Sequence, residues 1–258
     1  MSNTGRVNYH VHAPYRQSFV IDADGVAGNL ISPELAETQI TLNDLRIAGS
    51  TIYARDGVAF ETYPSAITDF SDMQDWRQQY DRELAALLTD RLAAREVIVF
   101  DHTLRVDDPD ANRKPARNVH SDYSPEGAEK RLVDLLGPQR AADWQDGHYA
   151  FINIWRPVEN PINSAPLGFV RPASVPHEDW IKIDLIYPDR RGNIMGLVAN
   201  KHHEWIYQSC MNPNEIVYFN IYDNRGLPSV AHSAIDLVEN PGITSVRKSL
   251  ESRTLVRF

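Results

Sequence analysis

The chain of 258 residues has one cysteine, Cys210. A single thiol excludes an internal disulfide framework and suits a reducing compartment. Cations are also scarce: 26 Lys and Arg stand against 35 Asp and Glu, for a net charge of −9. That sign does not suit phosphate backbones or anionic headgroups, so neither nucleic acid nor membrane is expected as a partner. No apolar run approaches the roughly 18 residues of a membrane span. The first residues, Met1-Ser2-Asn3-Thr4-Gly5-Arg6-Val7, lack the apolar stretch that follows a basic tip in a secretory signal, so the cytoplasm is the expected location. Internal repeats and low-complexity tracts are missing. So are GxGxxG and GxxxxGK-Ser/Thr loops, and no strand–helix alternation runs along the chain, which disfavours Rossmann and TIM-barrel folds. Histidine, in contrast, is plentiful: nine residues, more than packing alone calls for and a first pointer to metal or acid–base chemistry.

Residues 1–70 mix short apolar runs with turn residues and read as irregular structure with a few strands. Over 72–94, Trp76, Tyr80, Leu84, Leu87, Leu88 and Leu92 recur at helical spacing, with Ser71 as the expected N-cap. Ser124-Pro125-Glu126 opens a second helix, and Gly137-Pro138 stops it. The remainder reads as strands at 96–101, 149–155, 181–187, 194–198, 204–207, 216–222 and 246–258, separated by clusters such as Asp189-Arg190-Arg191-Gly192-Asn193. Two helices and seven or eight closely spaced strands predict a mainly β sandwich or barrel with flanking helices.

The segment Val119-His120-Ser121-Asp122-Tyr123 places an imidazole and a carboxylate at i and i+2, on one face of a strand. A distant histidine would complete a 2-His-1-carboxylate triad, which holds one face of Fe(II) and leaves the others open. His232, in Ser229-Val230-Ala231-His232-Ser233, is the candidate. His-x-Asp alone is a weak signal, and the chain offers rivals: His177-Glu178-Asp179, His202-His203-Glu204 and His10-Val11-His12. Each rival also reads as an ordinary surface or core histidine. Near the end of the sequence, Arg247, Ser249, Glu251 and Arg253 share one strand face. Two arginines are costly to bury unless they meet an anion, and an Arg fork with a neighbouring hydroxyl suits a carboxylate. A solvated edge strand with Arg–Glu pairs is the alternative reading of the same residues.

Several segments taken together resemble a family of iron- and 2-oxoglutarate-dependent oxygenases from secondary metabolism. That family includes the cephem-methoxylation component and the fungal gibberellin-desaturase-like and meroterpenoid-tailoring enzymes. Val97–Arg105 looks like its strand ending in His-Thr-x-Arg, and Val119–Tyr123 like its iron-binding strand. Phe151–Pro157 is similar to its Asn-x-Trp-Arg-Pro motif, Ala231–Ile235 to its second-histidine motif, and Arg247–Arg253 to its arginine motif. The resemblance runs from about Thr38 onward. It implies a double-stranded β-helix, the cupin-like jelly roll. It also implies Fe(II) on His120, Asp122 and His232, and 2-oxoglutarate on Arg247 and Ser249 with Arg253 close by.

Asn153 and Trp155 share a strand face. If it lines the barrel, Asn153 would bond the cosubstrate carboxylate near the iron and Trp155 would wall the substrate pocket; otherwise they read as a structural asparagine and a core tryptophan. Arg105 and Arg156 read as contacts for an acidic substrate or as surface salt bridges. His102 reads as a core or supporting residue. The expected organisation is one domain over 1–258, with an N-terminal extension at 1–70, a supporting helix at 71–95 and the barrel core at 96–258. The expected activity is hydroxylation or desaturation of a small molecule, natural-product or amino-acid-derived, with O₂ and with 2-oxoglutarate converted to succinate and CO₂. Self-association into a homodimer is left open. Two competing readings are a non-catalytic jelly roll serving another biosynthetic enzyme and a zinc hydrolase on the same ligands.

Overall fold

The computed structural model describes residues 3–25, 29–71, 75–238 and 245–258. Its strands are β1 (Asn3–His10), β2 (Ser18–Ile21), β3 (Leu30–Ile31), β4 (Leu35–Asp44), β5 (Val58–Thr62), β6 (Glu96–Val106), β7 (His120–Ser121) and β8 (Tyr149–Pro157). They continue as β9 (Leu167–Val170), β10 (Trp180–Ile186), β11 (Arg191–Leu197), β12 (Trp205–Tyr207), β13 (Glu215–Asp223), β14 (His232–Ala234), β15 (Asp236–Leu237) and β16 (Lys248–Arg257). The helices are α1 (Tyr53–Asp56), α2 (Arg77–Leu92), α3 (Pro125–Leu136) and α4 (Pro138–Gln145). No helix among the described residues is long and apolar enough to cross a membrane.

The β-branched and aromatic runs of the second half form strands within a few residues of the expected bounds. They assemble into two facing sheets, the double-stranded β-helix that the resemblance implies. The larger has the order β15-β1-β4-β12-β9-β14-β7-β11-β10-β2-β3, and the smaller β5-β13-β8-β16-β6. Side chains alternate across each strand. On β8, Phe151 and Trp155 enter the core between the sheets, while Ile152 and Ile154 face outward under α2. Phe169 of the larger sheet packs edge-on against Phe219 and Phe60 of the smaller, at centroid distances of 4.9 and 5.7 Å. α2 covers the outer face of the smaller sheet with Tyr80, Leu84, Leu87 and Leu88. α3 and α4 pack Leu132 and Trp144 into the core beside Phe151 and Leu255.

Three expectations change. Residues 1–70 are not an extension outside the barrel: they supply β1 to β4 of the larger sheet and β5 of the smaller. β1 pairs along its length with β4 and also bonds the segment entering β7, through Asn8 N–H to Arg117 O (3.1 Å) and Val119 N–H to Asn8 O (2.9 Å). The run β1-β4-β12-β9-β14-β7 therefore returns on itself around Val7, Tyr9, Leu42, Val119 and Trp205. Second, α2 starts at Arg77 with Trp76, not Ser71, at its N-cap, and the expected first turn at 72–74 lies outside the described residues. Third, Gly137-Pro138 is a junction: Gly137, at φ 73°, ends α3, and Pro138 opens α4. Proline serves equally well as the first residue of a new helix.

Candidate active site

His120 lies in β7, Asp122 just beyond its end, and His232 in β14. His120 and His232 are cross-strand partners, which brings their rings to a centroid distance of 4.6 Å. Asp122 Oδ1 lies 3.4 Å from His120 Nε2 and 3.8 Å from His232 Nε2. One donor atom from each of the three residues falls within 4.8 Å of the others. Each histidine aims Nδ1 at the carbonyl two residues upstream, His120 at Asn118 (2.8 Å) and His232 at Val230 (3.2 Å). Those bonds fix the proton on Nδ1 and leave both Nε2 lone pairs free toward Asp122. Burial, reinforced by His120, pulls His232 down to about 4, so its ring is neutral and able to ligate near neutral pH.

The smaller sheet supplies the opposite wall. Asn153 on β8 and Arg253 on β16 are cross-strand partners, and both donate to Asp122 Oδ2, at 2.9 and 3.1 Å. Oδ2 is thus occupied by protein donors and Oδ1 is left for a metal. Burial alone would raise Asp122. The charge of Arg253 is the main influence that outweighs it and holds the carboxyl well below its usual range. Arg253 also donates to Asp101 Oδ2 (2.6 Å) and Thr103 Oγ1 (3.2 Å) on β6, and forms an ion pair with Glu251.

Arg247 differs from Arg253 in every respect. It is 3% exposed and donates from Nη2 to Ser249 Oγ (3.2 Å). Its Nε and Nη1 have no hydrogen-bond partner among the described residues. Its guanidinium lies 5.5 Å from the Trp155 ring centre. Burial, with Arg105 nearby, pushes it down to about 9. A cleft lined by His120, His232, Arg247, Trp155, Arg105 and Glu251 joins this guanidinium to the two histidines.

The structure thus gathers His120, Asp122, His232, Asn153, Trp155, Arg105, Arg247, Ser249 and Arg253 around one cleft, and it changes three expected contacts. Arg156 faces the other way. It is buried on the α2 side, where Nη2 donates to Tyr63 O (2.9 Å) and the guanidinium lies over Tyr80, so it does not meet a substrate in this cleft. Residue 156 follows the inward Trp155, and strand alternation turns it outward. Arg253 is engaged by protein acceptors at Nε, Nη1 and Nη2. Asn153 is directed at Asp122 instead.

The rival motifs lie elsewhere. Asp179 accepts from Asn200 (2.8 Å) and approaches His203 Nε2 (3.1 Å). His102 bridges Ser252 and Asp81 under α2. His10 is buried in β1, and its ring fills the space that a side chain at Gly196 would need: a Cβ there would come within 2.5 Å of His10 Cδ2. Sequence reasoning gave no role to Glu251, Asp101 or Thr103, although Glu251 was visible as an acid at period two between the arginines.

The oxidoreductase/YMDC permease-like domain family matches residues 8–257. Among curated proteins, the alpha-ketoglutarate-dependent dioxygenase phiK from Fungal sp. is 29% identical over 266 residues, covering 96% of this chain and 94% of its own length. The alpha-ketoglutarate-dependent dioxygenase tstK of Talaromyces stipitatus is 28% identical, with 99% and 98% covered. The hydroxylase/desaturase efuI of Hormonema carpetanum is 28% identical, with 84% and 82% covered. Among solved structures, the iron and alpha-ketoglutarate-dependent endoperoxidase NvfI superimposes with a TM-score of 0.84 at 19% identity, over 98% of this chain and 97% of its own.

Proposed function

The chain belongs to the oxidoreductase/YMDC permease-like domain family and, with its relatives, to the Fe(II)- and 2-oxoglutarate-dependent oxygenases; on that premise we propose that His120, Asp122 and His232 hold the iron and that Arg247 and Ser249 anchor 2-oxoglutarate. The observation that carries this reading is the convergence of three neutral or anionic donors beside a buried, unpartnered arginine. Two imidazole nitrogens and one carboxylate oxygen suit Fe(II) and occupy one face of its coordination sphere. When bound, iron with 2-oxoglutarate and O₂ supplies the oxidant for substrate C–H bonds, with succinate and CO₂ as co-products.

The protein's own part is positional. Arg247 Nη1, with the second Nη2 hydrogen, presents the end-on fork that pairs with the cosubstrate's distal carboxylate. Ser249 Oγ accepts from Arg247, which leaves its own hydrogen free for the same carboxylate. Arg105, paired with Ser249 across β6 and β16, adds a second positive charge at that end of the cleft. Trp155 closes the wall and excludes water from the reacting centre. The substrate is a small molecule of the natural-product kind, hydroxylated or desaturated according to its pose. A reducing cytoplasm keeps iron in the ferrous state. An accessory, non-catalytic role gives no reason to bury Arg247 without partners. A hydrolytic zinc site gives no use for the Arg247 and Ser249 pair.

Adding Fe(II) and 2-oxoglutarate without oxygen is expected to give a weak visible charge-transfer band, and admitting O₂ to release succinate. Iron binding with neither signal refutes the cosubstrate assignment. His120→Ala is expected to lose iron and turnover together, and retained turnover would move the site elsewhere.

A further inference from the structure

Glu251 lies on the inner face of the smaller sheet, between Ser249 and Arg253, and is 5% exposed. It ion-pairs with Arg253, and its Oε2 lies 3.7 Å from Arg105 Nε. It lines the cleft with His120 and His232, and its charge acts on His232 directly. Its bonded link to the donors runs through Arg253, whose Nε donates to Asp122 Oδ2 at 3.1 Å. A guanidinium so close to a ligating carboxylate opposes a divalent cation on the other oxygen. In a dry site that repulsion is weakly screened. Arg253 needs a counter-charge for the site to accept a metal. Asp101 is one, but its side chain is 40% exposed and solvent screens it, whereas that of Glu251 is 7% exposed. Glu251 is therefore the counter-ion in the enclosed part of the cleft. It also ties Arg253 Nη2, which leaves Nε directed at Oδ2.

Resting on the reading of His120, Asp122 and His232 as metal ligands, we propose that Glu251 is a positioning residue: by neutralising and orienting Arg253 it holds Asp122 as a one-oxygen ligand and permits a divalent metal to bind. Removing a group that orients a ligand in this way typically costs 10- to 100-fold in metal affinity. Because the action passes through Arg253, the effects of the two residues are coupled, not additive.

The test is Co(II) binding to the metal-free protein, followed by absorption or calorimetry, with the melting temperature recorded for each variant. Glu251→Gln is expected to weaken Co(II) binding on the order of tenfold or more, and Glu251→Asp to recover part of the loss. With Arg253→Gln already in place, adding Glu251→Gln is expected to cost much less than it does alone. Wild-type affinity in a folded Glu251→Gln protein, or full additivity in the double variant, overturns the proposal. Should Glu251→Gln fail to fold, Glu251→Asp decides: an affinity equal to wild type counts against. A wild-type protein that binds no divalent metal instead refutes the ligand assignment, and this inference with it.

Discussion

Arg247 holds a charge among buried neighbours and leaves two of its donors unused, an arrangement that costs folding stability and profits only a bound anion. Arg247→Met keeps much of the volume and removes the charge. The metal-free variant is expected to melt no lower than wild type, while affinity for 2-oxoglutarate falls on the order of 100-fold or more, because two charge-assisted bonds are lost. Calorimetry for binding and scanning fluorimetry for melting check both halves. A variant that loses stability but keeps its affinity would show Arg247 to be a packing residue. Arg253, six positions on, behaves oppositely: four acceptors surround it, and the charges of Glu251, Asp122 and Asp101 overcome burial to raise it far above its ordinary value. Two arginines of one motif thus differ in their surroundings, one left with unpartnered donors, as the proposed anchor requires, and one bonded to Asp122.

Elements show where sequence reading succeeds. At α3, Ser124 accepts from Gly127 N–H (3.1 Å), as its position before Pro125 predicts, and also contacts Glu126 and Asn193 of β11. Ser124→Ala is expected to cost about 1 kcal/mol, or roughly 2–4 °C in melting temperature for a chain of this size. An unchanged melting temperature would show that the Asn193 contact and solvent replace the cap. The strands of the second half were legible because β-branched runs and turn clusters delimit them. β1 and β4 were not, since their stability comes from pairing with each other and with 117–119, contacts far apart in sequence. The donor triad was legible from His120, Asp122 and the placement of His232. The roles of Asn153 and Arg253 were not, because period two shows only that they face inward. It does not show that both reach the same oxygen of Asp122. Arg156 could have been read correctly: once Trp155 is placed inward, alternation sends 156 out.

The molecule as a whole buries several neutral histidines. Burial is the leading cause that pulls His10 down to about 4 from 6.5, and it also lowers His102 and His203. In the unfolded chain these rings take up protons near 6.5, so between 6.5 and about 4 the unfolded state binds more protons than the folded one. Their contribution is complete above 6.5 and is lost as the pH falls toward 4. For His10 alone the shift corresponds to about 3 kcal/mol. The metal-free protein is expected to melt at a distinctly lower temperature at pH 5 than at pH 7.5, and equal melting temperatures would show these rings to be solvated.

The position of β16 has a consequence for synthesis. It is the sixteenth strand in order, yet it lies between β6 and β8 inside the smaller sheet, and it carries Ser249, Glu251 and Arg253 just after Arg247. β8 can pair with β13 once that strand is made, but nothing joins β6 to β8 until β16 follows. His120, Asp122 and His232 are all translated before then. On the reading proposed above, the residues for iron are made first and the wall proposed to anchor 2-oxoglutarate is completed last.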